Sequence, residues 1–418
     1  WMKNSGLIID CDEKKNALRN LFKNSKVAFI YGAAGTGKST MINYISSLFK
    51  DKQKIFLANT NPAVENLRRK VTAEHAEFVT ITKFLSKDVS NDCDILCLDE
   101  CSTISNRDMV RVLQRAQCKL LVLVGDIYQI ESILFGNWFN IAYKVMPKDS
   151  VAELTRPHRT TVQGLIEVWN KVREITEDRL EFITRNGLSS TLDESIFSRT
   201  EEDEIVLCLN YDGIYGINNI NKFLQSNNVN PSINWGVLSY KVGDPVLFNE
   251  SNRFAPLVYN NLKGKILQIE EEEDCIYFTI EVYTVLNELD VIGFDLELKE
   301  SVTDETSVIR FKVGRGGDGN DDNDNVENVV PFQVAYAISI HKAQGLEYES
   351  VKVVITSEIE EMVSHNIFYT AITRAKSKLK IYWSPETEKR ILENMKVQFN
   401  DKDYQLFKAK YKEALLKS

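Results

Sequence analysis

No stretch of the 418 residues approaches 18 consecutive apolar side chains, so the sequence offers no helix that would span a bilayer. No secretory leader is visible. Histidine is scarce, with four in the chain, and the seven cysteines are scattered. Cys93, Cys97 and Cys101 lie four apart along an apolar run, without the tighter pairs and histidines of a zinc site. They read as small reduced core residues, which implies a cytoplasmic setting. An excess of positive charge is also missing. Lys and Arg number 51 against 60 Asp and Glu, a net charge of −9, so no broad cationic face is expected. The chain opens Trp1-Met2, from which a trimmed fragment with domains or protein partners upstream is expected.

What is present is ordinary globular composition, 43% hydrophobic and 27% charged, at a length that suits two to four domains. Residues 31–40 read "YGAAGTGKST" and follow the apolar run Val27-Ala28-Phe29-Ile30. Gly32, Gly37, Lys38 and Ser39 fit the spacing G-x-x-x-x-G-K-[ST], with a helical pattern from Ser39 to Phe49. Glycines at such a turn let backbone N–H groups face phosphate oxygens, and the helix N-terminus adds partial positive charge. The loop from Gly32 through Ala33, Gly35, Thr36, Gly37, Lys38 and Ser39 to Thr40 is therefore a predicted nucleotide site. Lys38 would reach the β and γ phosphates, and the Ser39 hydroxyl would face magnesium.

A second apolar run, "DILCLDE" (94–100), ends in two carboxylates. At the carboxyl end of a strand these lie in the ligand crevice of an α/β sheet. Asp99 is the expected magnesium ligand, and Glu100 the group that orients or deprotonates water. That arrangement points to hydrolysis. A third run, "KLLVLVGDIYQ" (119–129), ends in Gly125-Asp126 and Gln129, an amide placed to touch the γ-phosphate.

With these strands the chain resembles a superfamily 1 helicase of the RecD-like, 5′→3′ branch, over roughly Asp12 to Pro385. "ANTNPAVENL" (58–67), "TITKFL" (80–85), "GDIYQIE" (125–131), "ELTRPHRT" (153–160), "AYAISIHKAQGLEYESV" (335–351) and "FYTAITRAKSKLKIYW" (368–383) are similar to the family's motifs and occur in family order. The resemblance implies two RecA-like α/β lobes with ATP and Mg2+ in the cleft. It makes Gln129 the γ-phosphate sensor and Arg159 and Arg374 arginine fingers from the second lobe. Gln344, Gly345 and Glu347 are implied to help seat the nucleotide. One departure stands out: Lys14 occupies the position of the glutamine that reads adenine, and lysine lacks the acceptor half of an amide. Adenine selectivity is then expected to be relaxed or to come from elsewhere.

Single strands are held by phosphate contacts and flat side chains. The resemblance implies Thr60, Asn61, Pro62, Thr82 and Phe84 on the first lobe and Ser339, His341 and Lys342 on the second. Trp138, beside Phe139 in "FGNWF", is a candidate stacking wedge. The family's hairpin pin, which splits a duplex, would fall in "RRKVTAEHAEFV" (68–79), barely long enough for one short hairpin. Residues 235–310 alternate with period 2 and read as a small β-barrel or sheet insertion, and 242–267 are similar to the barrel inserted in RecD-like second lobes.

The expected organisation is a RecA-like ATPase lobe at 1–150, the first part of a second RecA-like lobe at 151–234, and an inserted small β-barrel with an acidic mobile loop at 235–330. The rest of the second lobe follows at 331–400, and a C-terminal helix at 401–418. The implied activity is ATP-driven 5′→3′ movement on single-stranded DNA, with RNA as an open alternative track. The rival is a nucleic-acid-stimulated ATPase switch within a larger protein, with little unwinding.

Overall fold

The structure is a computed structural model that describes residues 9, 11–21, 26–86, 91–130, 136–249, 253–255, 257–301, 303–315, 328–396 and 401–417. Most of the acidic loop expected before residue 330 lies outside the described residues. The chain divides into two units, Trp1–Asn186 with Glu361–Ser377 and Lys389–Ser418, and Gly187–Glu360 with Lys378–Glu388.

The first unit is built on a sheet of six strands: β1 (Val27–Gly32), β2 (Lys54–Ala58), β3 (Ala76–Thr80), β4 (Asp92–Leu98), β5 (Gln117–Gly125) and β6 (Val151–Leu154). Their order is β3-β2-β4-β5-β1-β6, with every pair parallel. Parallel strands are covered on both faces, which is why these runs are apolar nearly throughout. Alternate residues divide between two cores. Ala28, Ile30, Phe56 and Val122 pack with Leu18 and Leu21 of α1 (Asp12–Leu21), Met41, Ile42 and Ile45 of α2 (Lys38–Leu48), and Val64 and Leu67 of α3 (Asn61–Lys70). Phe29, Ile55, Leu57 and Leu123 pack on the other face with Phe84 of α4 (Ile81–Leu85), Met109 and Val112 of α5 (Asn106–Arg115), and Phe139 of α6 (Trp138–Val145).

This order sets the carboxyl ends of β1, β5 and β4 side by side, and an α/β sheet binds its ligand at such a crevice. It also moves a boundary. β6 pairs with β1, Phe29 opposite Val151 through Gly32 opposite Leu154, so the segment after 150 joins the first sheet instead of opening a second lobe. The helices α7 (Gln163–Glu174), α8 (Arg179–Arg185) and, much later in the chain, α10 (His365–Ile372) belong to the same unit. The link from α3 to β3 is five residues, 71–75, and holds no hairpin.

Among its described residues the second unit carries a five-stranded sheet, a six-stranded sheet and a two-stranded hairpin. Strands β7 (Ser189–Ser190), β8 (Glu204–Cys208), β17 (Ala337–Ser339), β18 (Tyr348–Val354) and β19 (Ala375–Tyr382) form the first, in the order β17-β8-β18-β19-β7. The pairs β17–β8, β8–β18 and β19–β7 run parallel. Helix α9 (Ile217–Ser226) and the hairpin β9 (Ser232–Trp235) and β10 (Leu238–Lys241) lead into the six-stranded sheet. Its strands are β11 (Pro245–Phe248), β12 (Lys263–Glu271), β13 (Cys275–Val282), β14 (Glu297–Lys299), β15 (Ser307–Gly314) and β16 (Phe332–Val334). They pair antiparallel in the order β14-β15-β13-β12-β11-β16. Here burial alternates along the strand, and Phe248, Phe278, Phe311 and Phe332 meet on the inner side.

At the root of the antiparallel sheet sits the fully buried Asp244. Its carboxylate accepts from Gln225 Nε2 (2.6 Å), Asn228 Nδ2 (2.9 Å), the Lys241 N–H (2.9 Å) and the Tyr336 hydroxyl (2.8 Å). Four donors supply what water would, so a buried carboxylate is tolerable here.

Candidate active site

The loop after β1 turns through Gly35 and Gly37, whose φ values of +74° and +80° favour glycine. A Cβ on Gly35 would fall 2.4 Å from Arg159 Cβ, and one on Gly37 would fall 2.9 Å from Lys14 Nζ. Gly37 also caps α2 without a side chain, which leaves that helix N-terminus to an external acceptor. Lys38 Nζ donates to the carbonyls of Gly32 (2.8 Å) and Ala33 (2.9 Å) and lies 4.0 Å from Asp126 Oδ2. Burial lowers the Lys38 pKa, while Asp126 and Asp99 pull it back up.

Asp99 ends β4, and its Oδ1 accepts from the Glu100 N–H at 2.9 Å. Glu100 takes a left-handed backbone, φ 50°, which turns the chain sharply after the strand. Burial, then the Asp99 charge, pushes the Glu100 carboxyl up to about 7, with Arg374 and Lys38 opposing. A carboxyl with that value can take a proton near neutral pH. Asp126, at the end of β5, is buried; its Oδ1 accepts from the Tyr128 N–H, and its Oδ2 has no hydrogen-bond partner among the described residues. Burial raises its pKa, opposed first by Lys38. Gln129 follows on the same turn, its N–H 3.4 Å from the Asp126 carbonyl.

Both arginines expected from a second lobe lie in the first unit. Arg159 Nη1 donates to the Thr373 carbonyl (2.6 Å), just past α10. Arg374 is buried and its Nε donates to the Thr370 carbonyl (2.9 Å). Two residues that sequence reasoning left out sit on α10. The Tyr369 hydroxyl accepts from the Ala34 N–H of the glycine loop (3.2 Å), and Thr370 Oγ1 accepts from the Ile130 N–H beside Gln129 (3.1 Å). The signal was in "YTAITRAK", where both precede the arginine by about one helical turn. Lys14 is buried, with Nζ 3.0 Å from His158 Nε2.

The donors fit a triphosphate with a hard cation. A glycine cradle, an uncapped helix end and a partnerless buried carboxylate oxygen surround one spot. Ser39 and Asp99 offer hard oxygens of the kind Mg2+ takes, an ion commonly held by one or two carboxylates together with phosphate oxygens. Among the described residues no group of three or more His, Cys, Asp and Glu could hold a metal alone, and all seven cysteines are free thiols.

The strand candidates fare unevenly. Thr60 caps α3 by accepting from the Ala63 N–H, Asn61 and Thr82 are exposed, and Pro62 is buried in the first turn of α3. Phe84 cannot stack on a base: it is fully buried on the α4–α5 side of the sheet, with the Arg115 guanidinium over its ring. The wedge fails as well. Trp138 donates its indole N–H to the Ile104 carbonyl (2.9 Å) and stands edge-on to Phe139, which stacks on Phe29 in the core. In the second unit, Ser339 ends β17, and its Oγ accepts from the Lys342 N–H. Lys342 Nζ reaches Gln333 Oε1 (2.8 Å), and His341 is half-buried. Gln344, Gly345 (φ +77°) and Glu347 lie on the turn before β18, where the Glu347 carbonyl accepts from Lys263 Nζ.

The sequence matches the AAA domain over residues 11–193 and the UvrD-like helicase C-terminal domain over 334–382. An uncharacterized protein of Methanocaldococcus jannaschii, MJ1519, is 24% identical over 448 residues, covering 88% of this chain but 37% of that protein. The RecBCD enzyme subunit RecD of Buchnera aphidicola is 23% identical, covering 92% of this chain and 77% of the subunit. Among solved structures, Pif1 helicase from Candida albicans superposes with a TM-score of 0.54 at 19% identity, covering 93% of this chain and 99% of that one. Pif1 helicase from Bacteroides, in complex with ADP-AlF3 and single-stranded DNA, gives 0.53 at 17%, covering 90% and 93%. The fold is thus the mixed α/β fold of these helicases.

Proposed function

We propose that this chain, a RecD-like superfamily 1 helicase and so one of a family of ATP-hydrolysing DNA helicases, couples ATP hydrolysis to 5′→3′ movement on single-stranded DNA. The observation that carries the reading is the gathering at one glycine loop of Lys38 beside Asp126 and of Arg159 against Gly35 and the Thr373 carbonyl, with Asp99 and Glu100 among the charges that bear on Lys38 and Arg374 among those that bear on Glu100. Lys38 leaves its two loop carbonyls to bind the β and γ phosphates. Glu100 accepts the proton of the attacking water, and Gln129 senses the terminal phosphate. Arg159 and Arg374 neutralise charge that builds in the transition state, an effect worth about 10³-fold or more. Mg2+, held by Ser39 and Asp99, would supply the charge that draws the phosphates together. The segment with Ser339, His341 and Lys342 contacts the strand, and Gln344, Gly345 and Glu347 keep the nucleotide role the resemblance implies. The antiparallel sheet stands for the inserted barrel of the family.

The five-residue link between α3 and β3 favours a second reading on one point. With no hairpin there, translocation or remodelling without strong duplex unwinding is the expected outcome. The test is steady-state ATP hydrolysis at low salt, where phosphate contacts are strongest, alone and with single-stranded DNA, single-stranded RNA or blunt duplex. Stimulation by single-stranded DNA supports the motor. Greater stimulation by RNA moves the track to RNA, and indifference to all three leaves an ATPase without a track.

A further inference from the structure

One contact in the active site has no part in the chemistry above. The Tyr369 hydroxyl accepts from the Ala34 N–H at 3.2 Å, although Tyr369 lies more than three hundred residues away along the chain. Its ring is fully buried, packed edge-on to Tyr128 (centroids 6.2 Å apart) and stacked near His365 (6.3 Å). The ring is therefore fixed, and the oxygen is held at the crest of the loop. Ala34 adjoins Ala33, whose carbonyl takes Lys38, and Gly35, on which Arg159 packs. The charges bearing most on the hydroxyl are Asp126, Arg173 and Arg159. It thus sits on the same glycine loop as Lys38 and Arg159.

A phenol that accepts one hydrogen bond keeps its own proton to give. Asp126 Oδ2, the nearby carboxylate oxygen, is buried and has no hydrogen-bond partner among the described residues. We propose that Tyr369 is a positioning residue for the terminal phosphate: anchored by the Ala34 amide, its hydroxyl donates toward a γ-phosphate oxygen and so ties α10, with Thr370 and Arg374, to a triphosphate in the loop. A diphosphate offers no such acceptor. The inference rests on the proposed ATP site and concerns only how that site tells ATP from ADP.

The test uses the intact chain and direct binding of fluorescent N-methylanthraniloyl ADP and of the same dye on a non-hydrolysable triphosphate analogue. Tyr369→Phe keeps the ring and removes the hydroxyl. Affinity for the triphosphate analogue should fall about ten-fold, as expected for one hydrogen bond to a charged acceptor, with ADP affinity changed less than about two-fold. In turnover, kcat should fall more than KM rises. Ser364→Ala removes the side-chain cap of the same helix, which accepts from the Ile367 N–H, without touching the loop, and should leave the ratio of the two affinities unchanged. The proposal is overturned if Tyr369→Phe weakens both nucleotides equally or neither, or if Ser364→Ala lowers the ratio as much. Failure of the wild-type chain to bind either nucleotide would instead defeat the ATP-site reading itself.

Discussion

Asp126 of the first unit and Asp244 of the second are both buried at a chain turn, and their surroundings treat the two oppositely. Asp244 in the second unit has four donors on its two oxygens. Asp126 in the first has one, on Oδ1, and its Oδ2 faces Lys38 at 4.0 Å with no hydrogen bond among the described residues. A satisfied buried carboxylate is structural. A half-satisfied one stores an interaction that a ligand can complete. The two sheets follow the same division: the antiparallel one is an aromatic core with polar residues outside, whereas the parallel one gathers polar groups at the carboxyl ends of its strands.

The comparison is sharpened most by removing the cation that Asp126 faces. Lys38→Ala should reduce steady-state ATP turnover by about 10³-fold with thermal unfolding nearly unmoved; near-normal turnover would dissolve the site. The two aspartates can then be compared directly. Asp244→Asn turns an amide N–H₂ toward two donors and should lower unfolding stability by about 3 kcal/mol. Asp126→Asn should cost about 1 kcal/mol or less, while lowering turnover. Equal losses of stability in denaturant titrations would erase the distinction between them.

Glu100 gives a gentler test. With its carboxyl near 7, turnover should rise with pH from about 6 to 8 as the base is freed, and this rise should vanish in Glu100→Gln. The sign for stability is opposite. Between its ordinary value of 4.5 and about 7 the folded state holds a proton that the unfolded state has lost, so this residue's contribution to stability falls as pH climbs through that window. A flat pH–rate profile would remove Glu100 as the base. The smallest effect belongs to a residue outside both clusters. Ser105 caps α5 by accepting from the Asp108 N–H (3.0 Å), and Ser105→Ala should cost about 1 kcal/mol, with turnover unchanged.

The glycine loop, Lys38, Asp99 and Glu100 were legible in the sequence because backbone chemistry fixes their spacing: a strand, a turn only glycine permits, then a helix. The same holds for Asp126, visible as a polar residue closing an apolar run, although its partnerless oxygen depends on neighbours no spacing reveals. Misreadings arose where tertiary packing decides. Phe84 and Trp138 lie in motif-like positions, yet α4 faces the core and the Trp138 indole is already bonded. The placement of Arg159 and Arg374 in a second lobe differs from the structure for a topological reason: β6 closes the first sheet, and α10 returns to the same unit from far down the chain. No local pattern encodes that return, nor the Tyr369 contact that comes with it.

The short link between α3 and β3 also makes this chain a natural recipient. β3 is the edge strand of its sheet, so an excursion begun after Lys70 and ended before Ala76 need cross no other element. Lengthening a surface loop adds closure entropy only logarithmically, about 0.6 kcal/mol for each doubling. A folded module spliced in at 71–75 would thus leave the nucleotide chemistry of the host intact, and the protein becomes a chassis on which duplex separation can be installed as an accessory and measured against its own baseline.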